Sequence, residues 1–156
     1  MNDKRVGNGA LFADIEHIIA EGGHVQLRVK GNSMRPFIRD GRDTVHLAPL
    51  PESGVQRGMV VLFRHNGLHV LHRIRSVADD GRLTIKGDGN YRIAEHAYIA
   101  DVVAYAEAIE HHGRLIRYRS LRWRTYSAWS LCIKAARTLY HDTVAPTDRD
   151  GRNASA

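Results

Sequence analysis

Cysteine is almost missing from this chain: Cys132 is the only one in 156 residues. An internal disulfide is excluded, and with no CxxC or Cys/His ligand pattern a structural zinc site has no donor set to draw on. A reducing compartment is the expectation. Long apolar runs are missing too. The best N-terminal candidate, "ALFADIEHIIA", is interrupted by Asp14, Glu16 and His17, so it lacks the apolar region of a signal peptide and falls far short of a membrane span. Acidic residues are missing from a long stretch of the C-terminal third. The segment "GRLIRYRSLRWRTYSAWSLCIKAAR" carries none, and it holds much of the basic excess behind the net charge of +6. Such a segment is drawn to anionic lipid or nucleic acid by charge.

What is present fits one domain, since dividing 156 residues would leave two thin cores. Leu11, Ile15, Ile18 and Ile19 recur at helical spacing and are stopped by Gly22-Gly23, predicting a short amphipathic helix over 10–20. Val25, Leu27 and Val29 then alternate with polar residues up to Gly31, the period of a half-buried strand. Further strands are expected at Thr44 to Ala48, Met59 to Phe63, Leu68 to Val77, Leu83 to Lys86 and Ile99 to Ile109, separated by "HNG", "DDG" and "GDGN". Short strands without intervening helices predict a compact, mostly antiparallel β domain, with a short helix before it and a helical tail behind. The segments expected are a lead-in over 1–23, the β domain over 24–109, a basic aromatic tail over 110–141 and a disordered end over 142–156.

In "LHVLHRIRSV" a strand would direct Leu68, Val70, His72, Ile74 and Ser76 to one face, and His69, Leu71, Arg73, Arg75 and Val77 to the other. His72 is then either a hydrogen-bonded core residue or a base in a partly dry site. Ser33, just past the first strand, is either a turn residue or a nucleophile. "KGDGN" read alone is a turn.

Taken together, "GNSMRPFIRDG", "VVLFR", "VLHRI" and "IKGDGN", in that order and at these intervals, resemble the S24/S26 peptidase superfamily that includes signal peptidase I. The resemblance spans about residues 24 to 109. Its most specific element is the Ser-Met-x-Pro of Ser33 to Pro36 followed by His72-Arg73. Bacterial signal peptidases and self-cleaving repressors have a lysine where His72 stands, whereas signal peptidases of the endoplasmic-reticulum type have histidine. The "VLHRI" and "GDGN" version with a short basic-aromatic tail looks like the small soluble bacterial members without a membrane anchor.

The resemblance implies that Ser33 attacks a peptide carbonyl, that His72 takes its proton and returns it to the leaving amine, and that Asp88 orients or polarises His72. A serine hydroxyl needs such a base at neutral pH, and a carboxylate then fixes the tautomer of the base. The Ser33 amide would be one oxyanion donor. The hydroxyl that some relatives place two residues earlier is replaced here by Gly31, and the second carboxylate of eukaryotic relatives by Ala94, with Glu95 and Asp101 nearby. Gly31, Asn32, Met34 and Pro36 are expected to shape the substrate turn, Pro36 by fixing the backbone and Met34 by filling the pocket floor.

The expected function is a serine endopeptidase acting on extended leader or precursor peptides, with no metal and no cofactor. His65, His69 and His72 resemble a metal set only until strand geometry separates them. A helix over Leu121 to Tyr140 would line up Tyr126, Trp129, Ile133, Ala136 and Tyr140, either packing on the β domain or resting on an anionic membrane. The chain is expected in the cytoplasm, with peripheral contact at the inner membrane surface through that tail. Two alternatives stand beside the enzyme. One is a non-catalytic peptide-binding module on the same fold. The other is a self-cleaving regulator, for which nucleic-acid contact would be needed and too few residues precede the first strand to form a helix-turn-helix domain.

Overall fold

The computed structural model describes residues 8–90, 93–129 and 132. Helix α1 (Asn8–Ala20) turns Phe12, Ile15 and Ile19 inward, while Leu11 and Ile18 stay exposed. The buried stripe is therefore rotated slightly from the expected one. The helix ends in a Schellman motif: Gly23 N–H donates to the Ile18 carbonyl and Gly22 N–H to that of Ile19, with Gly22 at φ +83°, where a glycine avoids the cost of a Cβ.

Eight antiparallel strands follow: β1 (Val25–Arg28), β2 (Thr44–Ala48), β3 (Val60–His65), β4 (Leu68–Val77), β5 (Arg82–Lys86), β6 (Glu95–Tyr98), β7 (Val102–His111) and β8 (Arg114–Arg117). They form one sheet in the order β1-β2-β7-β3-β4-β5-β6, with β8 added to β7. The protein is thus mostly β, with a helix α2 over 121–129 behind the sheet. Between β3 and β4, Asn66 and Gly67 take positive φ, as a two-residue hairpin requires.

Two strands lie outside the sequence expectation. β6 is "EHAY", which buries only Ala97, and residues Ile99–Asp101 form a single 3-10 turn, so the expected strand at 99 starts at Val102. β8 lies beyond the expected boundary at 109. Its "RLIR" keeps only Ile116 partly covered, and a weak alternation among arginines reads as part of the basic tail. Residues 142–156, expected to be disordered, lie outside the described residues.

Each sheet face has its own core. Val60, Leu62, Ala104 and Ala106 face α1, the segment 29–38 and Trp123 of α2. Val61, Phe63, Ile74, Leu83, Ile85 and Ala97 build the opposite cluster. Irregular register at His46/Leu47, Leu62/Phe63 and Ile74/Ser76 bends the sheet.

Two buried carboxylates lock the connections. Asp43 accepts from the Arg39 amide, Arg42 Nε and His111 Nδ1. Burial pushes its carboxyl pKa up, but these hydrogen bonds outweigh burial and the net direction is down. Asp88 is wholly enclosed between Arg73 and Arg75. Arg73, 1% exposed, also donates to the Gly58 carbonyl and to Ser127 Oγ on α2, and its guanidinium lies 4.6 Å from the Phe37 ring.

Replacing Arg73 by Met is expected to cost roughly 3 kcal/mol, the lower end for breaking a buried pair because Asp88 keeps Arg75; a urea titration measures it, and an unchanged midpoint would contradict this account. Acid is expected to destabilise through Asp43. Its folded carboxyl binds a proton less readily than the unfolded one, so its contribution is full above the ordinary carboxylate range and is lost between about pH 5 and pH 2. Asp43→Asn should flatten that part of the curve of melting temperature against pH.

Candidate active site at the Ser33 turn

The chain leaves β1 through Gly31, whose φ of +102° is accessible to glycine at little cost, and enters a tight turn. Arg35 N–H donates to the Asn32 carbonyl and Ile38 N–H to that of Met34. Met34, Phe37 and Ile38 are buried beneath it, and the Arg35-Pro36 bond is cis. This anchoring leaves Ser33 exposed on a backbone that its neighbours hold. Met34 and Pro36 thus act as scaffold here.

The "GDG" strip that follows β5 lies flat against the turn. Gly89 N–H donates 2.7 Å to the Ser33 carbonyl. A Cβ on Gly87 would stand 2.5 Å from the Ser33 carbonyl oxygen and 3.0 Å from His72 Nε2, and one on Gly89 would stand 2.6 Å from the Asn32 carbonyl oxygen. Both glycines are therefore required by close approach. Gly87 is the meeting point of the Ser33 turn and the His72 ring, so the two residues converge from positions 39 apart in the sequence.

His72 lies on β4 opposite Val61 of β3, and its side chain is only 6% exposed. Its Nδ1 donates to Glu95 Oε2 at 2.9 Å. That bond leaves Nε2, the atom beside Gly87, with the lone pair of the neutral ring. No hydrogen bond joins Ser33 to His72 among the described residues; serine-base contacts are often long without substrate.

The resemblance assigned the carboxylate on His72 to Asp88, and the structure places Glu95 there instead. Strand parity is the reason. Arg73 stands opposite Lys86, and Ile74 opposite Ile85, which in turn faces Glu95. Glu95 is thereby on the face of Ile74 and His72, as is Gly87, whereas Asp88 falls on the face of Arg73. Asp88 does receive Arg73 Nε and a terminal nitrogen of Arg75. Burial lowers the Arg75 pKa, against the opposing pull of Asp88. Counting alternation along β5 separates Gly87 from Asp88 in the sequence itself, but Glu95 could be found only by locating β6.

The three histidines of "HNGLHVLH" do not converge. His69 Nε2 bonds Glu16 of α1 at 2.6 Å and stacks on Phe12; His72 holds Glu95 on the opposite face; His65 lies near Phe63. Glu16 also accepts two bonds from Arg64. Those bonds, then that from His69, hold its carboxyl below its ordinary pKa. A cleft of about 320 Å3 opens beside this clamp, between Leu27, Val29 and Lys30 ahead of the Ser33 turn and Leu62 and Leu71 of β3 and β4. Among the described residues β1 pairs only with β2, leaving an open strand edge there.

No helix among the described residues is long and apolar enough to cross a membrane. No protein-family model matches the chain, and no curated protein matches it.

Gly87→Ala tests the convergence directly. The added methyl is expected to displace the His72 ring or the Ser33 carbonyl and to shift the His72 imidazole resonances in an NMR spectrum, whereas Gly9→Ala, where nothing lies within 4 Å and φ is not positive, should leave those resonances in place.

Proposed function

We propose that the protein is a serine endopeptidase of the S24/S26 type that cuts extended peptides. The observation that carries this reading is the meeting of the Ser33 turn and His72 Nε2 across Gly87, with Glu95 on the far nitrogen of the same ring. Nε2 and the Ser33 carbonyl oxygen both lie within 3.0 Å of the place a Cβ on Gly87 would occupy.

In this reaction Ser33 Oγ forms a bond to the peptide carbonyl carbon while its proton passes to His72 Nε2. The carbonyl oxygen takes up the displaced electron pair, and the Ser33 backbone N–H, which donates to no acceptor among the described residues, would stabilise that charge. The intermediate collapses as the C–N bond breaks and His72 gives its proton to the leaving amine. Water, activated by the same imidazole, then hydrolyses the ester. Glu95 holds the tautomer throughout and balances the imidazolium. Asp88 serves the scaffold that fixes β4 against the turn.

The substrate reading rests on the cleft and the free edge of β1. An extended peptide can pair with that edge while its alternate side chains enter the apolar cleft beside Leu27, Leu62 and Leu71. Leader or precursor peptides with small side chains near the cut bond are the substrates that the resemblance implies.

Mass-spectrometric mapping of a leader-like peptide library is the test. Wild type should cut at defined bonds. Ser33→Ala and His72→Ala should each reduce kcat at least ~10³-fold, and Glu95→Gln by ~10²- to 10⁴-fold with KM little changed. Asp88→Asn should lower the melting temperature while leaving Glu95 to support turnover. Cutting that survives in Ser33→Ala would refute the nucleophile, and peptide binding without cutting by wild type would assign the groove to a non-catalytic binding module.

A further inference from the structure

A second cavity lies on the α2 side of the Ser33 turn, apart from His72 and Glu95. It measures about 150 Å3 and is lined by Phe37, Arg39, Arg42, Ile109, His111 and Ile116, with Tyr126 and Trp129 of α2 among its walls. A cavity of this order holds a ring the size of benzene, so a phosphate with a few carbon atoms fits, whereas a peptide segment does not.

The polar wall is built. Asp43, with no exposed surface, accepts from Arg42 Nε at 3.0 Å and from His111 Nδ1 at 2.8 Å. One enclosed carboxylate thereby fixes the Arg42 and His111 side chains at the cavity while leaving the terminal nitrogens of Arg42 and Nε2 of His111 uncommitted to it. Arg39, exposed at the same wall, has no ion pair among the described residues. Two guanidinium groups against a single carboxylate leave this wall positive, and bidentate guanidinium geometry suits phosphate oxygens.

The surroundings decide which phosphate. Tyr126 is 39% exposed and Trp129 50% exposed. Leu121, at the start of the same helix, is 77% exposed. No acidic residue occurs from 111 to 141. Aromatic rings with a polar edge, an exposed leucine and unopposed arginines are the composition of a surface that sits at the lipid-water boundary. We infer that this cavity receives the phosphate headgroup of an anionic phospholipid, with Tyr126 and Trp129 entering the interface around it. The inference does not depend on the peptidase reading, since Ser33, His72 and Glu95 take no part in the cavity and the Ser33 turn lends it only Pro36 and Phe37 as wall.

The test is flotation of the full chain with vesicles of phosphatidylglycerol in phosphatidylcholine at physiological salt, alongside pure phosphatidylcholine vesicles. Wild type should float with the first and not the second, with Trp129 emission shifting to shorter wavelength. Arg39→Gln, at an exposed position that should not disturb folding, should weaken vesicle binding roughly tenfold, and Trp129→Ala should weaken it while abolishing the emission shift. Arg82→Gln, the same charge change on β5, should alter binding less than about twofold. Equal losses in Arg39→Gln and Arg82→Gln would overturn the site in favour of diffuse attraction. Calorimetric binding of free glycerol phosphate as tight as vesicle binding would overturn the lipid source.

Discussion

A buried guanidinium holds this protein's working parts in register. Arg73 emerges from the middle of the sheet into a space closed by the Ser33 turn on one side and α2 on the other, and it satisfies both: Asp88 takes its charge, Gly58 and Ser127 take further hydrogen bonds, and Phe37 lies under its plane. Removing such a charge from water is costly, and the cost is offset only when every donor finds an acceptor in good geometry. The elements that supply those acceptors are therefore bound to one arrangement. Because His72 is the next residue on the same strand, whatever fixes Arg73 also fixes the ring on the reverse face.

The division of labour between neighbouring residues follows from the pleat. Along β4, His72 and Arg73 point to opposite faces; past β5, Gly87 and Asp88 do the same. One face carries the His72–Glu95 pair and the bare surface of Gly87. The other is structural, with an ion pair and an aromatic lid. Glycine at 87 and 89 lets the second strip approach the turn closely enough for the Gly89 amide to hold the Ser33 carbonyl. A side chain at either place would hold the two halves of the site apart.

Helix α2 shows a similar partition. Trp123 is buried against Phe37 and Tyr118, with ring edges meeting faces, and Ser127 reaches Arg73. Tyr126 and Trp129 remain outward at the rim of a positive cavity. The two expectations for this helix, packing on the β domain and meeting an outside surface, are thus not exclusive, because successive residues of a helix point in different directions. The outer stripe residues Ile133, Ala136 and Tyr140 lie outside the described residues.

Local pattern by itself determined the first helix and its glycine stop, the strands at 44–48 and 68–77, and the two faces of β4, because each depends on spacing within one short segment. It also singled out Ser33 and His72 as candidates, since the motifs that carry them are contiguous. It did not determine β6 or β8, whose few buried residues give alternation little to register. It did not determine the partner of His72 either. Proximity in sequence and motif favoured Asp88, but a carboxylate reaches an imidazole only from the same side of the sheet, and Glu95 arrives there through pairing with β5. Which carboxylate serves the ring was decided by strand order and parity, properties that exist only once the sheet has formed.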